Sequence, residues 1–358
     1  MAIDSDTTFT SQSALIKAMR FPLIVLVLFE HSVGVFAGVN TTYGFISEMI
    51  SHHICPIAVC LFFFLSGYLF FLNLEEGAFS SRWILSKWKR RIRTLLIPYL
   101  IWNALMVLAI LLKNYGFSLV GMQVNPDEMQ TVHQGIVYWF ITGPADFPLW
   151  FLLDMMVMSL ITPLLYPLYK KYPWIALVIL ILLYLSPWTP RILSIRAIFF
   201  FSLGAWMSIN HISFLSISRK TRIPAAIAAV ILLILATAFM EKPLHEWLLR
   251  AFYPLGMITF LNICDRLTRN HKNQERLVRL SASVFFIYAA HEIYILGWTK
   301  GLLLRLFGES QTGIWIRYWM VPVIVLAVCL VLYQLLNRLM PRTLAFICGG
   351  RTTIDKKQ

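Results

Sequence analysis

Met19-Arg20-Phe21-Pro22-Leu23-Ile24-Val25-Leu26-Val27-Leu28-Phe29-Glu30-His31 opens an apolar run that continues to about Phe36, and its reading decides the fold. The run is long enough for a membrane span, which needs about 20 residues. Glu30 and His31 nevertheless sit well inside it. An ionisable side chain at mid-bilayer costs roughly 2.5–3.5 kcal/mol on insertion scales, so such residues have a task or a partner. Arg20 and His31 lie eleven positions apart, which at about 100° per residue returns them to one helix face. At about 1.5 Å per residue they are separated by roughly 16 Å along the axis, half a hydrocarbon core. One face of one helix thus carries a fixed cation at one end and a titratable imidazole about halfway across. Glu30 points about 100° away, toward another helix.

The rest of the chain extends this pattern. Its 358 residues are 59% hydrophobic and 13% charged, far from soluble averages. Repeated apolar runs near or above about 18 residues identify an all-α, polytopic membrane protein. Spans are expected at about 15–37, 50–74, 94–113, 148–169, 172–188, 190–210, 223–240, 245–264, 281–301 and 314–338, a bundle of ten helices with both termini on one side. The first segment reads as a retained span and not a signal peptide, since uncharged or acidic residues precede it; Val35-Phe36-Ala37 is the candidate cleavage site under the other reading. Residues 1–14 are expected to be a flexible tail, 15–338 a single transmembrane domain, and 339–358 a basic tail.

The formal charge of +14 would suggest nucleic acid in a soluble protein. Its distribution argues otherwise. Arg82, Lys87, Lys89, Arg90, Arg91 and Arg93 fall in one loop, Lys170 and Lys171 in another, Arg219, Lys220 and Arg222 in a third, and Arg266 to Arg279 in a fourth. Residues 38–49 and 114–147 contain no Lys or Arg. Under ten spans every rich loop lands on one side, which puts both termini in the cytoplasm. The cation-free stretch 114–147 is long enough to be functional.

Several smaller constellations stand out. His291-Glu292 forms a second ionisable pair at mid-depth in the ninth span. Arg90 and Arg93 serve topology, but three positions apart they also share a helix side suited to clamping a phosphate. Ser66-Gly67 suits close helix packing. Pro148-Leu149-Trp150-Phe151 has the character of an aromatic belt, with Asp154 one turn deeper. The five cysteines lie in or beside apolar runs and read as small core residues. No metal spacing, GxGxxG, Walker loop or GxSxG elbow occurs.

Taken together these residues resemble the acyltransferase-3 family of membrane acyltransferases, many of which decorate bacterial surface sugars. The likeness covers nearly the whole chain. The family's arginine and histidine, separated by ten residues in the first span, match Arg20 and His31. Its Phe-x-x-Ser-Gly stretch matches Phe63, Ser66 and Gly67. Its Arg-x-x-Arg pair matches Arg90 and Arg93, followed by Pro98-Tyr99, and Trp150 and His291 match a tryptophan opening the fourth span and a late histidine. The resemblance implies a multi-pass protein of the bacterial inner membrane that binds no cofactor. The co-substrate is cytoplasmic acyl-coenzyme A, usually the acetyl form, and the acceptor is a hydroxyl of an extracytoplasmic or lipid-linked glycan.

The chemistry of the residues suits that scheme. An imidazole near its working pH either deprotonates the acceptor or carries the acyl group for a moment, and His31 is the candidate. Arg20, Arg90 and Arg93 offer cations for the donor's phosphates. Ser66, or a backbone N–H beside Gly67, is a guess for polarising the thioester. Glu30, Trp150, His291 and Glu292 are supporting candidates, and no metal is expected. The alternative is a transporter whose intramembrane histidines and carboxylates relay protons, although no repeat relates the two halves.

Overall fold

A computed structural model of the protein describes residues 5–33, 41–123, 126–133, 135–141, 143–188, 190 and 193–351, with side chains from 12 onward. Val35-Phe36-Ala37 and the chain beyond Arg351 lie outside the described residues. Helices account for the architecture, with no strand among the described residues. Seven are long and apolar enough to cross a membrane: α1 (which runs Ser5–Glu30), α2 (Thr42–Phe71), α3 (Ser81–Leu119), a helix over Phe147–Lys171, and three more over Leu244–Thr268, His271–Phe307 and Gln311–Leu339. A bent pair, Ala197–Ile209 and Phe214–Lys220, turns through 104° and would make an eighth if it is one span.

Every interval expected from hydropathy contains an apolar helix, yet two of them are short. Pro173–Tyr184 and Arg222–Ala238 are apolar helices of under 18 residues. At about 1.5 Å per residue the first reaches only about 18 Å, against a hydrocarbon core of about 30 Å. The reason lies in the punctuation. Pro173 starts the first of these helices, and the Ser186-Pro187 break follows it closely; a proline is tolerated at a helix start and resists continuation elsewhere.

The remaining elements, numbered in order, are α4 (Pro126–His133), α5 (Phe147–Lys171), α6 (Pro173–Tyr184), α7 (Ala197–Ile209), α8 (Phe214–Lys220), α9 (Arg222–Ala238), α10 (Leu244–Thr268), α11 (His271–Phe307), α12 (Gln311–Leu339) and α13 (Pro341–Ile347). Side-chain caps fix several starts: Ser80 Oγ accepts from the N–H of Trp83 at 3.3 Å, and Ser310 Oγ from that of Gly313 at 3.1 Å. Each satisfies one of the donors left open at a helix N-terminus.

α1 lies against the core. Leu15, Met19, Leu23, Ile24, Val27 and Leu28 are buried, and their spacing of three and four defines one helical stripe. α2 and α7 approach backbone to backbone. A Cβ on Gly67 would come within 1.9 Å of Phe201 O, and one on Gly204 within 2.0 Å of Phe64 O. The Ser66-Gly67 pair therefore does serve close packing, since only glycine permits that approach.

The C-terminal end folds back onto α3. Trp102 Nε1 donates to Ile347 O at 3.0 Å, and the N–H of Gly350 donates to Ala345 O at 2.7 Å. Gly349 has φ +64°, and a Cβ there would stand 3.0 Å from the Thr94 backbone. The segment expected as a tail from 339 thus begins as a docked helix and turn.

Candidate active site

His31 follows the last turn of α1, where its N–H still reaches Val27 O at 3.3 Å. Opposite it, the regular winding of α11 gives way to a wide turn over His291–Ile295. Inside that turn Ile293 has ψ 76° and Tyr294 has φ 59°. A bulky L-residue adopts that left-handed conformation only where its surroundings over-determine it, and such strain clusters at functional sites. Tyr294 is indeed fastened: its hydroxyl donates to Glu128 Oε2 at 3.1 Å, and Lys113 pairs with the same carboxylate. α4, from the long cation-free stretch, is thereby tied to the break.

The break brings His291 and Glu292 to His31. His31 Nδ1 lies 3.4 Å from Glu292 Oε1, and the imidazole rings of His31 and His291 are 5.3 Å apart, tilted by 51°. His291 Nδ1 faces the carbonyls of Ile287 and Tyr288 at 3.2 and 2.8 Å. Carbonyl oxygens only accept, so Nδ1 carries the hydrogen and Nε2 the lone pair. That Nε2 is buried with no hydrogen-bond partner. Ligand atoms of His31, His291 and Glu292 all lie within 4.8 Å of one another, close enough to share an ion. Sequence spacing shows no such set because its members come from the two ends of the chain.

A cavity of about 390 Å³ opens beside this trio, and Glu30, His31, His52, Glu292 and Lys300 line it. Most of its polar groups already have partners. His52 Nδ1 is 2.6 Å from Glu48 Oε2, and Lys300 Nζ donates to Val33 O at 3.0 Å. Glu30, expected to turn toward another helix, shares this cavity wall with His52. Where a wall is built by three or four helices, a rotation of 100° still faces it.

In α1, eleven residues before His31, the half-buried Arg20 is one of the charges that act on Arg351. Arg90 and Arg93 are exposed, whereas the half-buried Arg91 turns inward. Its Nη2 donates to Ser66 O at 3.2 Å and to Ser66 Oγ at 3.0 Å. In the regular helix that ends at Arg91, Arg91 falls on the half-buried stripe of Trp83, Lys87 and Trp88, whereas Arg90 falls on the exposed side. Ser66, considered for the thioester, is here bonded to Arg91. Trp150 is half-buried in an aromatic cluster, 6.3 Å from the rings of both Phe63 and Phe151. Tyr288 OH donates to Pro148 O at 2.5 Å, joining α11 to the start of α5. Asp154 Oδ2 accepts from the N–H of Ser194 at 3.1 Å and so braces a chain turn.

Four residues near these sites escape sequence reasoning: Arg91, Arg351, Lys300 and Asp146. Lys300 was legible, as a cation inside an expected span. Asp146 was not. It is buried just ahead of α5, and neither carboxyl oxygen has a hydrogen-bond partner. Burial first, and the charge of Glu292 second, raise its carboxyl well above the usual range.

The first and eleventh helices of an all-α bundle thus converge on a histidine–glutamate pair, groups suited to moving a proton. The chain belongs to the acyltransferase-3 family, whose acyltransferase domain matches residues 14–349. It is similar to the succinoglycan biosynthesis protein ExoH of Rhizobium meliloti (strain 1021), with 28% identity over 356 residues, covering 95% of this chain and 93% of that protein. No solved structure matches.

Proposed function

We propose that the protein transfers an acyl group, most simply acetyl from cytoplasmic acetyl-coenzyme A, to a hydroxyl of an extracytoplasmic or lipid-linked glycan. The family membership and the likeness to a polysaccharide biosynthesis protein support acyl transfer to a sugar. In this reading the chain crosses a bacterial inner membrane ten times. The seven long helices, the bent pair α7–α8 and the shorter α6 and α9 are the ten segments, and both termini are cytoplasmic. The clustering of Lys and Arg in alternate loops supports that orientation.

The observation that carries the reaction is His31 in a cavity wall with Glu292 Oε1 at 3.4 Å from Nδ1. A carboxylate beside Nδ1 holds a hydrogen there and leaves the Nε2 lone pair free. Nε2 takes the proton of the acceptor hydroxyl as its oxygen attacks the thioester carbon. The carbon–sulfur bond breaks, and the proton passes to the departing thiolate, giving ester and free coenzyme A. Donor enters from the Arg20 end, with Arg90 and Arg93 as the exposed cations it meets first, and acceptor enters by the cavity. Glu30 and His291 support the site from its walls, and Trp150 braces it through the aromatic cluster.

Mass analysis of the surface glycan in cells carrying His31→Ala tests this. Loss of the acyl group is expected, together with loss of acetyl-coenzyme A-dependent thiol release in proteoliposomes. Unchanged acylation with the variant present would remove His31 as base, and a thioester left intact by the wild-type protein would favour a transporter.

A further inference from the structure

We propose that Arg20, Arg91 and Arg351 together form a binding site for a phosphate or diphosphate group. Each guanidinium comes from a different part of the chain: Arg20 from α1, Arg91 from α3, and Arg351 from the docked C-terminal turn. The turn is held tightly enough to aim its side chain. Cys348 is buried, Gly349 packs on the Thr94 backbone, and Trp102 anchors the preceding carbonyl. Arg351 then lies with its guanidinium 4.3 Å above the Phe285 ring, and Nη1 donates to Cys348 O at 3.3 Å. Arg91 is aimed by Ser66, with its guanidinium 5.5 Å from the Phe70 ring. The charges of Arg20 and Arg91 both act on Arg351, and Gly349 packs against the backbone of Thr94, three residues beyond Arg91.

The positive-inside pattern asks for cations in loops, not for cations turned inward onto aromatic rings. Among the described residues no ion pair involves any of the three. The same chain does supply a carboxylate where an arginine has a structural partner. Asp265 takes Arg219 with two bonds, at 2.7 and 3.2 Å. Burial first, then the charges of Arg20 and Arg91, push the Arg351 guanidinium down to about 9. An arginine keeps its proton at neutral pH all the same, so the relief open to this cluster is a bound anion. Forked donors from three directions match the oxygens of a phosphate.

Assigning that anion to the acyl donor rests on the proposed acyl transfer. The distance suits it, since Arg20 lies roughly 16 Å along the axis from His31, a gap for the donor's pantetheine arm to bridge. The other source of the same chemistry is the headgroup of an anionic phospholipid.

The test is isothermal titration of the full-length, detergent-purified protein with free coenzyme A and with inorganic pyrophosphate, alongside native mass spectrometry for retained phosphatidylglycerol. Coenzyme A is expected to bind, and Arg351→Gln and Arg91→Gln each to weaken it at least about tenfold, the loss of a charge-assisted contact. Arg351→Lys should restore part of the affinity. Two exposed cations of the same helix that serve no site, Arg82→Gln with Lys89→Gln, should change it by less than about threefold. Phospholipid bound by wild type and lost in Arg351→Gln, with no coenzyme A binding, supports the phosphate site and gives it to lipid. An Arg351→Gln protein that elutes and melts like wild type and binds both as well as wild type overturns the proposal. Binding is read without turnover, so an enzyme that fails to transfer acyl groups leaves this result intact.

Discussion

Two stations along α1, one around Arg20 and one around His31, treat charge in opposite ways. Around His31 the polar groups are mostly matched: Glu292 stands by His31, Glu48 by His52, and Lys300 by the Val33 carbonyl. Around Arg20 three guanidinium groups gather without one carboxylate among the described residues. A balanced cluster can hold its protons and geometry before any ligand arrives, which is what acid–base chemistry needs. An unbalanced one is completed by what it binds. In the proposed function, the difference separates the part of the molecule that reacts from the part that grips.

The comparison breaks most sharply at Glu292. Glu292→Gln keeps the shape but removes the charge that orients His31, and a fall in kcat of about a hundredfold is expected. Coenzyme A affinity should be unchanged, because the gripping end is untouched. Turnover rates beside titrated affinity in the same preparation make the check. Unaltered kcat would reduce Glu292 to a neighbour of His31.

A smaller effect sharpens the other side. Gly204→Ala drives a Cβ to 2.0 Å from Phe64 O, two residues before Ser66. Backbone cannot yield as a side-chain tip can, so overpacking should lower stability by about 1–3 kcal/mol. Thermal unfolding reads that loss. If Ser66 indeed aims Arg91, coenzyme A affinity should fall in the same variant while the His31 end keeps its response to Glu292→Gln.

The helical bundle was legible because it depends on composition and regular periodicity. Arg20, His31 and the His291-Glu292 pair were legible because an ionisable group in an apolar run needs a reason. Arg91 escaped although regular periodicity puts it on the half-buried stripe of Trp83, Lys87 and Trp88, because a run of cations reads as a solvated loop. The break at Ile293–Tyr294 brings Glu292 to His31, and no spacing within one helix predicts that. Arg351 escaped for another reason. It follows two glycines in a basic terminus, which reads as solvated, and the Gly349–Thr94 and Trp102–Ile347 contacts show that the turn is docked.

Asp146 offers the smallest effect. Its carboxyl is held well above the usual range, by burial before anything else, so above an ordinary value near 3.9, where the unfolded chain has released its proton, the native state still holds one. Stability from this group therefore falls as pH rises from about 3.9 toward the raised native value. Asp146→Asn imitates the neutral carboxyl, and should change acyl transfer by less than about twofold while flattening the fall in Tm as pH rises above about 4. A large loss of activity in Asp146→Asn, with Tm still falling as in wild type, would mean that Asp146 is ionised and belongs to the matched charges around His31. The contrast between the two stations along α1 would then need redrawing, because the His31 station would hold one more negative charge than its partners balance.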